Sequence, residues 1–107
     1  MIPASVMLRL AKEEDAPRVA VLSEQLGYPA SSEAILGRLQ LLAARGDQQV
    51  VVAVVEGQVS GWIQVGRMLS LESGEQAEIL GLVVDEASRG QGIGTILVAQ
   101  AESWAKS

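Results

Sequence analysis

A chain of 107 residues, 49% hydrophobic and 20% charged, is long enough for one modest domain with one core and too short for two. Its 13 acidic and 8 basic residues give a formal charge of -5, and the basic ones are scattered, which opposes general attraction to nucleic acid or an anionic membrane. Cysteine and histidine are absent, which removes disulfides, thiolate nucleophiles, the usual zinc sites and any Ser-His or Cys-His couple, so no metal site is expected. Met1 to Ala11 lacks the basic start and long apolar segment of a secretion signal, and no apolar run approaches a membrane span, so the expectation is a cytoplasmic protein with no nucleic-acid or membrane partner.

Val6-Met-Leu-Arg-Leu10 reads as a first strand. Lys12 to Pro17 then supplies acidic residues and a proline suited to a first helical turn. The helix runs to about Leu26 with Val19, Leu22 and Leu26 on one face, Gly27 as its cap and Pro29 blocking continuation. Ser31-Ser32 caps a second helix whose Ile35, Leu39 and Leu42 recur at helical spacing up to Gly46-Asp47. Val50 to Val55 is a β-branched strand, Glu56-Gly57 a tight turn, and Gln58 to about Met68 the returning strand of a hairpin. Leu69 to Gly74 reads as a loop, Glu75 to Val84 as a further strand, and Gln91 to Ala105 as a helix with Ile93, Leu97, Ala101 and Trp104 on one face. Strands in direct succession imply a mostly antiparallel sheet covered by helices, an α+β domain of order β-α-α-β-β-β-α spanning residues 1–107.

The chemistry concentrates between the last strand and the last helix. Gly90, Gly92 and Gly94 stand at alternate positions behind Arg89, which removes the side chains that keep a ligand from the backbone and adds a forked cation. Amides at a helix start have no partner inside the helix and lie at the positive end of its dipole, so a phosphate fits there. A dinucleotide fingerprint is excluded, because Thr95 stands where its last glycine belongs and the chain ends before the acidic residue such sites need. A P-loop is excluded too, since Gly94 is followed by Thr95-Ile96 and not by Lys and a hydroxyl residue.

Arg89-Gly90-Gln91-Gly92-Ile93-Gly94 resembles the R/Q-x-x-G-x-G/A signature of the GNAT superfamily of N-acetyltransferases, which lies between that family's fourth strand and third helix. The order of elements from Val6 to Ser107 matches the family's first strand through third helix. The resemblance implies a GNAT-like fold, C-terminally truncated, that binds acetyl-CoA as acetyl donor. Arg89, Gly90, Gln91, Gly92, Ile93, Gly94 and Thr95 would surround its pyrophosphate, and Leu82, Val83 and Val84 would be the strand edge that pairs with the pantetheine arm. It also implies acetyl transfer to a primary amine by direct attack, with a small-molecule or peptide amine as partner. Glu78 stands where some members place a general base and would be desolvated part-way into the sheet, and the amide near Val84 would polarise the thioester carbonyl. The family's acid, a tyrosine beyond the third helix, has no counterpart here; the single tyrosine, Tyr28, follows the first helix and reads as a loop packing residue. The alternative from another class is a non-catalytic acyl-CoA-binding or interaction module. Without the family's later strands, the strand Ile79 to Val84 would lack a neighbour, which implies a homodimer.

Overall fold

The computed structural model describes residues 5–107. Four strands, β1 (Val6–Leu10), β2 (Gln48–Val55), β3 (Gln58–Ser70) and β4 (Gly74–Val84), form one antiparallel sheet in that order. Three helices, α1 (Ala16–Gln25), α2 (Ser32–Ala43) and α3 (Ile93–Ala105), complete the expected α+β arrangement. A short 3-10 helix at Glu13–Asp15 leads into α1. The Asp15 carboxylate receives both Arg9 nitrogens, at 2.8 and 2.9 Å, and the Lys12 amide at 2.7 Å, pinning the end of β1 to the start of α1. Ser31 caps α2 by accepting the Ala34 amide at 3.0 Å, as its sequence predicts.

The pleat sends alternate strand residues to opposite faces, and helices cover each. Val51, Ala53, Ile63 and Val65 pack against Ile93, Leu97 and Ala101 of α3. On the other face Val52, Val54, Val59 and Val83 meet Leu22 of α1, and Val50 with Trp62 extends this layer to Val19, Ile35 and Leu39. Leu22 and Leu97 are fully buried, each contributing about 1.5–3 kcal/mol relative to an exposed side chain. Trp104 lies under Arg67, whose guanidinium carbon is 4.2 Å from the ring centre and whose Nη2 donates to the Trp104 carbonyl at 2.8 Å. This contact occupies the end of α3 against β3, so Trp104 does not cover the outer edge of β4.

The β2–β3 connection is the two-residue hairpin expected, with positive φ at Glu56 (51°) and Gly57 (78°). The strands are longer than their apolar runs. β3 and β4 continue through Ser70 and Gly74, where Met68 and Leu69 of one strand face Gln76 and Glu75 of the other and the turn shrinks to Leu71–Ser73. The last helix begins at Ile93 and not at Gln91, because Gly90 and Gly92 hold φ of 83° and 82°, a backbone an α-helix cannot contain.

Candidate functional site

β4 carries one irregularity. Gln64 faces Gly81 while Val65 faces Ile79, so Leu80 is an extra residue that bulges the strand. Above the bulge the Asp85 amide donates to the Ser60 carbonyl at 2.8 Å. Antiparallel ladders alternate, so Val83 and Gly81 also turn their amides and carbonyls towards β3, while Leu82 and Val84 turn theirs to the outer edge. Among the described residues β4 pairs only with β3. The Leu82 groups and the Val84 amide are therefore an open edge. Val83, expected to share it, is a core residue with 3% exposure and its polar groups engaged in the ladder.

The chain leaves β4 through a turn whose anchor the sequence reading missed. Asp85 accepts the Gln25 side-chain amide at 3.2 Å and the Ala87 amide at 3.3 Å, and it forms a close ion pair with Arg18. The Glu86 amide in turn donates to the Gln25 side-chain oxygen at 2.9 Å, and Arg18 Nε donates to the Val59 carbonyl at 2.7 Å. The Gln25 hydrogen bond first, then those from Ala87 and Arg18, hold the Asp85 carboxyl below the usual carboxylate range against the opposing effect of burial. The available signal was on α1. Arg18, Leu22 and Gln25 stand at helical spacing, so two polar residues flank a buried leucine on one stripe.

Beyond this anchor the Arg89 side chain folds back, Nε donating to the Val84 carbonyl at 3.1 Å. Arg89, Gly90, Gly92, Ile93, Gly94 and Thr95 line a shallow cavity with Val84 and Ser88. The first bond of α3 runs from the Ile96 amide to the Gly92 carbonyl at 3.1 Å. The amides from Gly90 through Thr95 find no acceptor among the described residues. The expected anion-binding loop thus has its donors unpaired at a helix start. Gln91 is part of this run, and Ile93, 1% exposed, fills the core with its side chain.

A second cavity, of about 330 Å³, lies between α1, α2 and the sheet on the face opposite α3. Leu80 and Gly81 form its β4 wall. A Cβ on Gly81 would lie 2.7 Å from Cη2 of Trp62, so only glycine lets the indole lie across the strand there. Tyr28 is not packed as expected: it is 73% exposed and stands on this cleft. Glu78 pairs with Gly66 and, by alternation, shares the cleft's face two positions past the bulged Leu80. It is exposed, so the desolvation expected of it is absent. Glu78 and Val84 are also six residues apart, roughly 20 Å along a strand, too far for both to touch one reacting centre. Among the described residues there is no cluster of acidic side chains suited to a metal ion.

The sequence profile of the acetyltransferase (GNAT) family matches residues 8–107, and the chain belongs to that family. No curated protein matches the sequence significantly. Among solved structures, a GNAT family acetyltransferase from Staphylococcus aureus is similar over 95% of this chain and 78% of its own, with 25% identity and a TM-score of 0.83. A transcriptional regulator from Bacillus halodurans has 25% identity and a TM-score of 0.82 over 94% of this chain and 74% of its own. An aminoglycoside 6'-N-acetyltransferase from Acinetobacter haemolyticus shares the fold at 23% identity, with a TM-score of 0.81 over 94% of this chain and 71% of its own. No helix among the described residues is long and apolar enough to cross a membrane.

The Asp85 anchor generates a prediction. Its depressed carboxyl value means that the stabilisation is complete above the ordinary carboxylate pKa of about 4 and is lost as pH falls through the lower folded value. Asp85→Asn removes the charge and strands Arg18, so at pH 7 it should cost about 1–3 kcal/mol in urea unfolding. The gap to the wild type should close on acidification. A gap independent of pH would show that the charge does not stabilise the fold.

Proposed function

We propose that the chain transfers the acetyl group of acetyl-CoA to a primary amine by direct attack. The observation that carries this reading is the run of unpaired amides at Gly90–Thr95 beside Arg89, continuous with the outward-facing groups of Val84 and Leu82. A pyrophosphate meets several donors and one cation there, and an extended amide-bearing arm completes the edge of β4 as an added strand. Running from Val84 towards Leu80, such an arm brings its thioester to the cleft. The Leu82 amide, nearer the cleft than that of Val84, is the donor we assign to the carbonyl oxygen. The amine nitrogen forms its bond to the acetyl carbon, the carbon–sulfur bond breaks to release coenzyme A as a thiolate that solvent protonates, and the amine's proton leaves. Glu78 takes that proton through water from the cleft side. Membership of an acetyltransferase family and the fold shared with an aminoglycoside 6'-N-acetyltransferase support this reading.

Calorimetric titration with acetyl-CoA tests the loop. Arg89→Ala should weaken binding roughly ten-fold, the loss of one charge-assisted hydrogen bond. Gly94 has an ordinary helical backbone and space for a Cβ, its nearest neighbour being Val84 at 3.7 Å. Gly94→Glu therefore places bulk and negative charge at the anion site without backbone strain and should abolish binding, whereas Gly92→Val would mix that effect with strain at positive φ. Unchanged affinity in both Arg89→Ala and Gly94→Glu would put the ligand elsewhere. In turnover assays that follow thiol release, Glu78→Gln should lower kcat at least ten-fold and flatten the acidic limb of the pH profile, with cofactor affinity retained; a wild-type profile would remove Glu78 from the reaction.

We further infer self-association through the β3–β4 hairpin, and a cytoplasmic location for the protein. Met68, Leu69, Leu71, Ile79 and Leu80 are all exposed on this hairpin, beside the open strand edge. Light scattering at micromolar concentration should give a dimer that Ile79→Lys weakens. A monomer at that concentration would exclude this association.

A further inference from the structure

The cleft between α1, α2 and β4 has a composition that selects its occupant. Its walls are apolar, with Ile35, Leu39, Val50 and Trp62 among them, and no aspartate or glutamate lines it. Its polar side chains are Ser23, Tyr28, Gln64 and Arg38, and the lining residue Trp62 keeps a buried Nε1 without a hydrogen-bond partner among the described residues. A volume of about 330 Å³ is at the small end for ligand pockets and suits a small molecule.

Arg38 stands apart from the other arginines. Arg9 pairs with Asp15, Arg18 with Asp85 and Arg45 with Asp47, while Arg67 and Arg89 donate to backbone carbonyls. Among the described residues Arg38 makes no hydrogen bond or ion pair. It lies on α2, across the cleft from the Leu80–Gly81 wall where the acetyl group would arrive. A lone guanidinium with planar forked donors matches one carboxylate. A second anionic group on the acceptor would find no further cation in the lining. A polycationic amine would place its further charges among apolar walls and against Arg38, with Glu78, beyond the lining, already engaged with the reacting nitrogen.

Resting on the acetyl-transfer reading, we propose that the acceptor is a small monoamine with an apolar body and a carboxylate at the end remote from the amine, the body filling the cleft and the carboxylate meeting Arg38. Tyr28, at the same mouth, adds a hydroxyl donor to that carboxylate. The amine then lies against Leu80 and Gly81. Its nitrogen bonds to the acetyl carbon as the carbon–sulfur bond breaks, the amine's displaced proton passes through Glu78 to water, and coenzyme A leaves as the thiolate, which takes up one proton from solvent.

The test compares 4-(aminomethyl)benzoate, benzylamine and spermidine as acceptors with acetyl-CoA. The aminobenzoate should have the highest kcat/KM and spermidine the lowest. Arg38→Gln should raise KM for the aminobenzoate roughly ten-fold with kcat retained, leave benzylamine unchanged, and be partly offset in Arg38→Lys. Trp104 lies on the opposite face under Arg67, so a Trp104→Phe background leaves Trp62 as a fluorescent reporter of the cleft that needs no turnover. Quenching by the aminobenzoate, weakened by Arg38→Gln, supports the proposal even if no amine is acetylated, and in that case the acetyl-transfer reading fails alone. Preference for spermidine, equal KM values in wild type and Arg38→Gln, or a Trp62 signal blind to the aminobenzoate would overturn the acceptor assignment while leaving acetyl transfer intact.

Discussion

The site depends on how β4 is held where it ends. Asp85 is the last point at which the strand is bonded to β3, through its amide and Ser60, and the first point at which the following loop is bonded to α1, through Gln25 and Arg18. One carboxylate therefore fixes the strand exit against the helix layer on one face, while the glycine loop behind it feeds α3 onto the other. The ion pair is part-buried, and losing one partner leaves the other short of a charge-assisted bond it cannot replace within the fold. An anion site made of backbone amides needs that rigidity, since its donors are only as well placed as the chain that carries them.

A second constraint is the alternation of the antiparallel ladder. It divides β4 into residues committed to the sheet and residues facing outward, and the Leu80 bulge resets that alternation midway. Above the bulge the outward groups of Leu82 and Val84 lead from the glycine loop towards the cleft. Below it Glu78 is turned to the cleft's face. The bulge and Gly81, crossed by the Trp62 ring, thus mark where the strand changes from a track for an extended ligand into a wall of a compact pocket.

Much of this was legible in the chain. Helix caps at Ser31 and the breaks at Gly27 and Pro29, the Glu56-Gly57 hairpin and the β-branched run of β2 are local signals, set by neighbouring residues, and each element formed where they indicated. The glycine loop was visible for the same reason. What escaped depends on distant partners. Arg18 meets Asp85 across 67 positions, and the cleft draws on two helices and three strands. Glu78 illustrates the limit most clearly: its place on β4 followed from the sequence, but its exposure depends on what packs against that end of the sheet. Val83 shows the same limit in the ladder, where the parity that commits it to β3 is set by a bond from Asp85 to Ser60.

The central claim is that one continuous surface, from the Gly90–Thr95 amides along the outer edge of β4, receives acetyl-CoA. Amide hydrogen exchange read residue by residue, with and without coenzyme A, tests it most directly. Protection should rise at Gln91 through Thr95 and at Leu82 and Val84, while Val83, already bonded within the ladder, changes little. Protection confined to other elements, or spread evenly over β4 without regard to parity, would contradict the account.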